Sequence, residues 1–261
     1  MTQRFKKTFF VILAVLVLVL GSAVLWLPRL YVVPIVMYHQ VTFTERPQPN
    51  WVSPENFEWQ MAYMTDHGYR VIRLGELVEA IKSGKPLPRK TAVITFDDGY
   101  ANNYTNAFPI LKKYGFPATI FVAADKINTE GYLTWDQMKE MLASGIDIGS
   151  HTRTEAYLPD LMVERQRNEI QASKDVLEEN LGVPVDYFAY PISGFSDEIK
   201  EMVKEAGYKA ACATNRGHDR FNKDLFELKR VRFSDKDIRK DYLWIKLSGY
   251  YNLFRKLKNP Y

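Results

Sequence analysis

The stretch Thr91-Ala92-Val93-Ile94-Thr95-Phe96-Asp97-Asp98-Gly99 decides how the rest of the chain is read. Its first six residues are apolar and rich in β-branched side chains, the composition of a strand buried in an α/β core. Two carboxylates and a glycine follow at once, so the strand ends in a sharp turn with acids at its carboxyl end. Neighbouring strand residues point to opposite sides, so Asp97 and Asp98 can serve one site only if the turn at Gly99 swings both toward it. One could then bind a metal while the other accepts a proton. The plain alternative is a solvated turn, since Asp and Gly are ordinary turn residues.

A second apolar strand, Ile146-Asp147-Ile148-Gly149, runs into Ser150-His151-Thr152-Arg153-Thr154-Glu155. His151 and Glu155 are four apart, so a helical turn there would let both face one ion. With one of the aspartates they make three protein ligands and leave a fourth position for water, the pattern of catalytic zinc sites. A surface helix cap is the alternative for this pair.

Strand candidates lie at 33–38, 70–73, 91–96, 118–123, 146–149, 186–190, 209–213 and 229–233, and helices fit at 54–66, 74–83, 103–114, 134–143, 160–181 and 196–206. Ser53-Pro54-Glu55 and Thr134-Trp135-Asp136-Gln137 read as helix starts, with a capping hydroxyl and a nearby Pro or acid. The alternation implies parallel strands with crossover helices, an α/β architecture whose strand carboxyl ends carry the chemistry. There is no internal repeat. Glu45 to Trp51, with Pro47 and Pro49, reads as an exposed loop that shapes a substrate groove near His39.

These residues resemble the polysaccharide deacetylases of carbohydrate esterase family 4. Thr95 to Gly99, followed by Tyr100, matches the family's first motif in full. His151-Thr152-Arg153-Thr154 matches the second, which ends here in Glu155 where a His is usual. Ala189-Tyr190-Pro191-Ile192-Ser193-Gly194 is similar to the third, with Ala189 at an Arg position, Ile192 at an aromatic position and Ser193 inserted before the Gly. Val33 to His39, Ser53 to Phe57, Phe108 to Leu111, Tyr114 to Thr119, Leu133 to Trp135 and Glu205 to Tyr208 read like family blocks in family order. The resemblance sharpens the fold to a distorted (β/α)7-type barrel.

It also implies the chemistry. Amide hydrolysis needs a divalent metal, zinc first with cobalt or manganese as alternatives, to polarise the carbonyl and acidify a bound water. The implied ligands are Asp98, His151 and Glu155. Asp97 is the implied general base, and the backbone N–H of Ile192 the implied oxyanion donor. Tyr100, Tyr190 and Pro191 are the implied substrate contacts. The usual C-terminal acid His is missing from Leu228-Lys229-Arg230-Val231-Arg232-Phe233, and His39, in a Met-Tyr-His segment like that of biofilm poly-N-acetylglucosamine deacetylases, is the substitute. A buried His tying a loop to the barrel is its structural alternative. His67 reads as a helix C-cap. Glu155 keeps three readings open: a working ligand, a weakened metal site, or a degenerate site in a glycan-binding protein.

Residues Thr8 to Leu27 carry no charge, and Arg4, Lys6 and Lys7 precede them. That predicts a single transmembrane signal anchor with the N-terminus in the cytoplasm and the rest outside, although Gly21-Ser22-Ala23 could be cleaved. The expected division is residues 1–30 as basic flank and anchor, 31–235 as catalytic domain and 236–261 as an aromatic and basic tail helix. That tail either packs on the barrel or touches a membrane surface. Cys212 is the only cysteine, so no internal disulfide forms, and its alanine neighbours predict a buried, inert thiol. A net charge of +4, part of it in the basic flank, gives no argument for nucleic acid. The expected function is removal of N-acetyl groups from a cell-surface or secreted N-acetylated polysaccharide. Hydrolysis of a small N-acyl molecule and glycan binding without turnover are the alternatives; a purely structural membrane protein would need no acids at strand ends. The sequence leaves the oligomeric state open.

Overall fold

The computed structural model describes residues 2–43 and 49–259, without the side chains of 2–7, 11, 19–20 and 23–25. Strands run in the order β1 (Ile35–Tyr38), β2 (Gln40–Val41), β3 (Trp51–Val52), β4 (Arg70–Val71), β5 (Thr91–Phe96), β6 (Thr119–Val122), β7 (Asp147–Ser150), β8 (Tyr187–Ala189), β9 (Ala210–Ala213) and β10 (Leu228–Arg232). Helices are α1 (Thr2–Trp26), α2 (Pro54–Asp66), α3 (Leu74–Ser83), α4 (Phe108–Tyr114), α5 (Trp135–Ala143), α6 (Val163–Leu181), α7 (Asp197–Glu205), α8 (Lys240–Leu247) and α9 (Tyr251–Phe254).

The sheet closes on itself. β1 pairs with β10 on one side and β5 on the other, and β5, β6, β7, β8, β9 and β10 follow in sequence, every pairing parallel. β4 pairs with the first two residues of β5. This is the seven-stranded parallel barrel expected, with every strand candidate present. Both sequence-marked helix starts hold: Ser53 Oγ accepts from Asn56 N–H, and Thr134 and Gln137 form a reciprocal capping box.

Strand parity divides the core in two. Ile35, Val93, Phe121, Ala189, Cys212 and Leu228 pack together inside the barrel. Their neighbours Val36, Ile94, Ile120, Phe188, Ala211 and Val231 pack outward against the helices. Gly149 is required inside: a Cβ there would lie 2.5 Å from the Phe121 ring and 2.9 Å from the Tyr187 carbonyl. Cys212 is buried in this interior, and burial pushes its thiol up to about 12, as an inert role requires.

The C-terminal tail packs on the barrel. α8 buries Leu243 and Leu247 in the outer core layer and leaves Tyr242 and Trp244 exposed. The N-terminal anchor is not supported: among the described residues no helix is long and apolar enough to cross a membrane. The side chains of Arg4, Lys6 and Lys7, and loop residues 45–48 of the expected groove, lie outside the described residues.

Candidate active site

The inward column of each strand leads to one place. Continuing Ile35 and Met37 gives His39, Val93 and Thr95 give Asp97, Gly149 gives His151, and Leu228 and Arg230 give Arg232. These residues meet at the carboxyl ends of the parallel strands, the end from which the connecting loops rise.

The turn after β5 answers the question its sequence posed. Asp98 has φ 72° and Gly99 φ 74°, and this left-handed pair folds Asp98 back toward the mouth rather than out to the helices. Both carboxylates are buried, and a Cβ at Gly99 would lie 2.8 Å from Val122, so a side chain there would both strain and clash. Asp97 is gripped by Arg230, whose Nη1 and Nη2 donate to its two carboxylate oxygens at 2.5 and 2.6 Å. Burial would raise the Asp97 pKa, but the Arg230 charge, His151 and those bonds outweigh it and hold it at about 2. Asp98 has no such partner. Burial raises it to about 6, helped by the charges of Asp97 and Glu155 against those of His151 and Lys126.

His151 is oriented by Ala189, whose carbonyl accepts from Nδ1 at 2.7 Å. Nε2 is thereby left facing Asp98 Oδ1 at 3.5 Å. The loop behind it is pinned by Glu169, whose carboxylate accepts from the N–H groups of Arg153 and Thr154 and from Thr154 Oγ1.

Glu155 departs from expectation. Thr152 and Glu155 have φ 64° and 62°, so residues 151–155 do not coil as a helical turn and four-residue spacing does not place His151 and Glu155 on one face. The Glu155 carboxylate instead accepts a short bond from Lys126. Among the described residues no group of three or more His, Cys, Asp or Glu side chains could hold a metal ion. The expected triad is therefore not assembled, whereas the Asp98 and His151 pair fits a cation: one buried carboxylate oxygen and one oriented imidazole nitrogen face each other.

His39 follows β1, and the next residues, β2, are held by asparagines. Asn103 donates to the His39 carbonyl at 2.7 Å, while Asn102 and Asn106 engage Gln40 and Val41. Asn103 and Asn106 lie in a π-helical turn at Asn103–Ala107, and Asn102 is its N-cap. The His39 Nδ1 is buried without a hydrogen-bond partner. Burial lowers its pKa to about 4, with Arg230 and Arg232 adding to the effect and Asp97 opposing it.

In the third motif, Tyr190 and Pro191, the expected substrate contacts, are both buried. Tyr190 sits one residue past Ala189 on the outward parity, packs on Phe188 and Phe195, and gives its hydroxyl to the Phe226 carbonyl at 3.0 Å. Ile192 is the residue that reaches solvent, 72% exposed with φ 53°. A β-branched residue in that region is strained, and the strain lies at the mouth. Tyr100 is half-buried and stacks on Tyr132 at 5.2 Å. His67 caps α2, its Nδ1 2.8 Å from the Tyr63 carbonyl.

Arg230 and the asparagines were not foreseen from sequence. The available signal was Arg230 following Leu228 at the inward positions of β10, a strand that carries three cations in five residues.

Comparisons with known proteins agree with this geometry. A family model described as polysaccharide deacetylase matches residues 84–211. YxkH of Bacillus subtilis (strain 168), named for the polysaccharide deacetylases, is 33% identical over 201 residues, 77% of this chain and 71% of that protein. The poly-beta-1,6-N-acetyl-D-glucosamine N-deacetylase of Staphylococcus aureus (strain MSSA476) is 27% identical over 201 residues, covering 70% of this chain and 68% of its own. The structure of Streptococcus pyogenes deacetylase PplD in complex with acetate is similar at TM-score 0.76 and 28% identity, over 82% of this chain and 97% of that one. With paired aspartates and an oriented histidine at the mouth of a seven-stranded parallel barrel, and a relative this similar over most of both sequences, the chain belongs to the polysaccharide deacetylase family.

Proposed function

We propose that the protein hydrolyses N-acetyl groups of an N-acetylated cell-surface or secreted polysaccharide, releasing acetate. The observation that carries this reading is the buried Asp97, fixed by Arg230 beside the Asp98 and His151 pair at the barrel mouth. With its pKa at about 2, Asp97 is ionised throughout the neutral range and is available to take a proton from an attacking water. Arg230 fixes the direction in which it does so. His39, with a pKa near 4, is neutral before reaction, so the proton it gives the leaving amine is gained during turnover. Asp97 is the nearby group whose charge favours the protonated ring. The N–H groups of Ser193 and Gly194 close the turn onto Tyr190 and Pro191, and that of Ile192 is the donor assigned to the developing oxyanion. Asp98 and His151 would hold a divalent cation, zinc first with cobalt or manganese as alternatives, which when bound supplies carbonyl polarisation and an acidic water.

A second reading, glycan binding without turnover, is favoured by one observation: Lys126 occupies the carboxylate of Glu155. Acetate release from N-acetylated oligosaccharides, with and without chelator, separates the two. The hydrolase reading expects release that chelator abolishes, and tighter metal binding in Lys126→Met, which frees Glu155. Glycan binding with no acetate under zinc, cobalt or manganese would establish the binder.

Membrane attachment through α1 belongs to the same reading. It is supported by the uncharged run Thr8 to Leu27 and by the exposed Phe9, Phe10, Ile12 and Val15 to Leu18. Retention on membranes after an alkaline carbonate wash is the expected result, and release into the wash contradicts it.

A further inference from the structure

Beside the mouth, between the ends of β9 and β10 and the C-terminal segment, lies a cleft of about 530 Å³. Five cations line it, Arg232, Lys236, Lys246, Arg255 and Lys256, and among its described lining residues Asp237 is the one acid. That acid is already committed, 2.5 Å from Lys246 Nζ. Four positive charges are left without a carboxylate from the described residues of the cleft wall.

Arg255 is built into the wall. Its guanidinium donates to the carbonyls of Arg230 and Thr214, each at 2.7 Å, and to Asn252 Oδ1 at 3.2 Å. All three acceptors are uncharged, and among the described residues its charge has no carboxylate partner. Burial lowers its pKa to about 10, opposed by Tyr251 and reinforced by Arg232 and Arg220. Like charges held this close repel unless an anion lies between them. The half-exposed ring of Tyr242 lines the same cleft and offers an apolar face to a sugar.

The cleft adjoins the reacting groups. Arg232 stands two residues beyond Arg230 on the inward parity of β10, and its field reaches both Asp97 and His39. Thr214, in the wall, donates its N–H to Ser193 Oγ at 2.8 Å, next to the strained Ile192. A glycan with one sugar at the mouth therefore brings its neighbour to these cations.

We propose that the substrate is an acidic glycan, with an anionic group on the deacetylated sugar or the next one, carboxylate or phosphodiester, seated in this cleft. This rests on the deacetylase reading. The test uses the full chain, metal-reloaded in detergent, with three oligomers. One is neutral oligo-N-acetylglucosamine, one alternates N-acetylglucosamine with glucuronic acid, and one joins N-acetylglucosamine units through phosphodiesters.

The expected result is a kcat/KM about tenfold higher for at least one acidic oligomer than for the neutral one, an advantage lost as salt rises to about 0.5 M. The better acidic oligomer identifies the anion. The double variant Lys236→Gln/Lys256→Gln, both positions exposed, raises KM for that oligomer by about fivefold while KM for the neutral one stays within about twofold. Equal use of neutral and acidic oligomers, or equal loss on both in the double variant, overturns the proposal. If no oligomer yields acetate, the deacetylase reading fails separately. Calorimetry with the same three oligomers then decides the inference, which stands if an acidic one binds tighter and falls if the neutral one binds as well.

Discussion

Arg230 and Asp97 are both buried, and each exists as a charge in the core only because the other does. Removing one partner of such a pair leaves an uncompensated buried charge and costs about 3–5 kcal/mol. Arg230→Met is therefore expected to lose about that much stability in urea unfolding. The double variant Asp97→Asn/Arg230→Met is expected to lose less than the sum of the two singles. Strict additivity would mean the two do not act as a pair. His39 carries a pH signature. Its folded pKa near 4 lies below the ordinary 6.5, so the unfolded chain binds more protons between those values and stability falls as pH drops through that window. The limit is about 3 kcal/mol. Asp98 slopes the other way, since a folded pKa near 6 against 3.8 makes the folded chain bind more protons as pH falls. The measurement is thus the difference between wild type and His39→Gln, unfolded from pH 7 to 4 with chelator present. A wild-type curve falling more steeply than the variant's is expected, and parallel curves contradict the assignment.

The loop Tyr190 to Gly194 holds two non-glycine residues, Ile192 and Ser193, in the left-handed region. Ile192 at φ 53° is mostly exposed, so replacing its side chain loses little burial. Ile192→Gly is expected to be more stable than Ile192→Ala by about 1 kcal/mol, the reverse of the usual order in helices and strands. Thermal unfolding of the two variants checks it, and alanine equal to glycine would mean the residue does not hold that conformation. In the tail, Leu243→Ala is expected to cost about 2–5 kcal/mol because its side chain is fully buried, while Trp244→Ala stays within about 0.5 kcal/mol. Equal small effects would place α8 off the barrel. The strands and most helices were legible in the sequence because β-branched runs, capping residues and periodicity are local signals. The side that Tyr190 faces was not, because β8 is three residues long and offers too few positions to fix its parity. The path of the chain to Glu155 was unreadable for a related reason: spacing of four implies a shared face only where the chain is helical, and there it is not.

Across the molecule, the site is the sum of inward columns from separate strands, and that is why part of it was unreadable in advance. Asp97, Asp98 and His151 announced themselves as polar residues directly after apolar runs. Arg230 did not, since its partner stands 133 positions earlier and only barrel closure brings them together. With Ala at position 189, the guanidinium that grips Asp97 comes from β10, which closure brings to within one strand, β1, of β5. Hydrolysis at this gathered mouth, with Asp97 as its base, is the function proposed. The most direct test is acetate release by the full chain and by Asp97→Asn, each at matched metal content and with folding confirmed by circular dichroism. Release by wild type and a loss of about a hundredfold or more in the variant are expected. Undiminished release by Asp97→Asn would contradict the proposal.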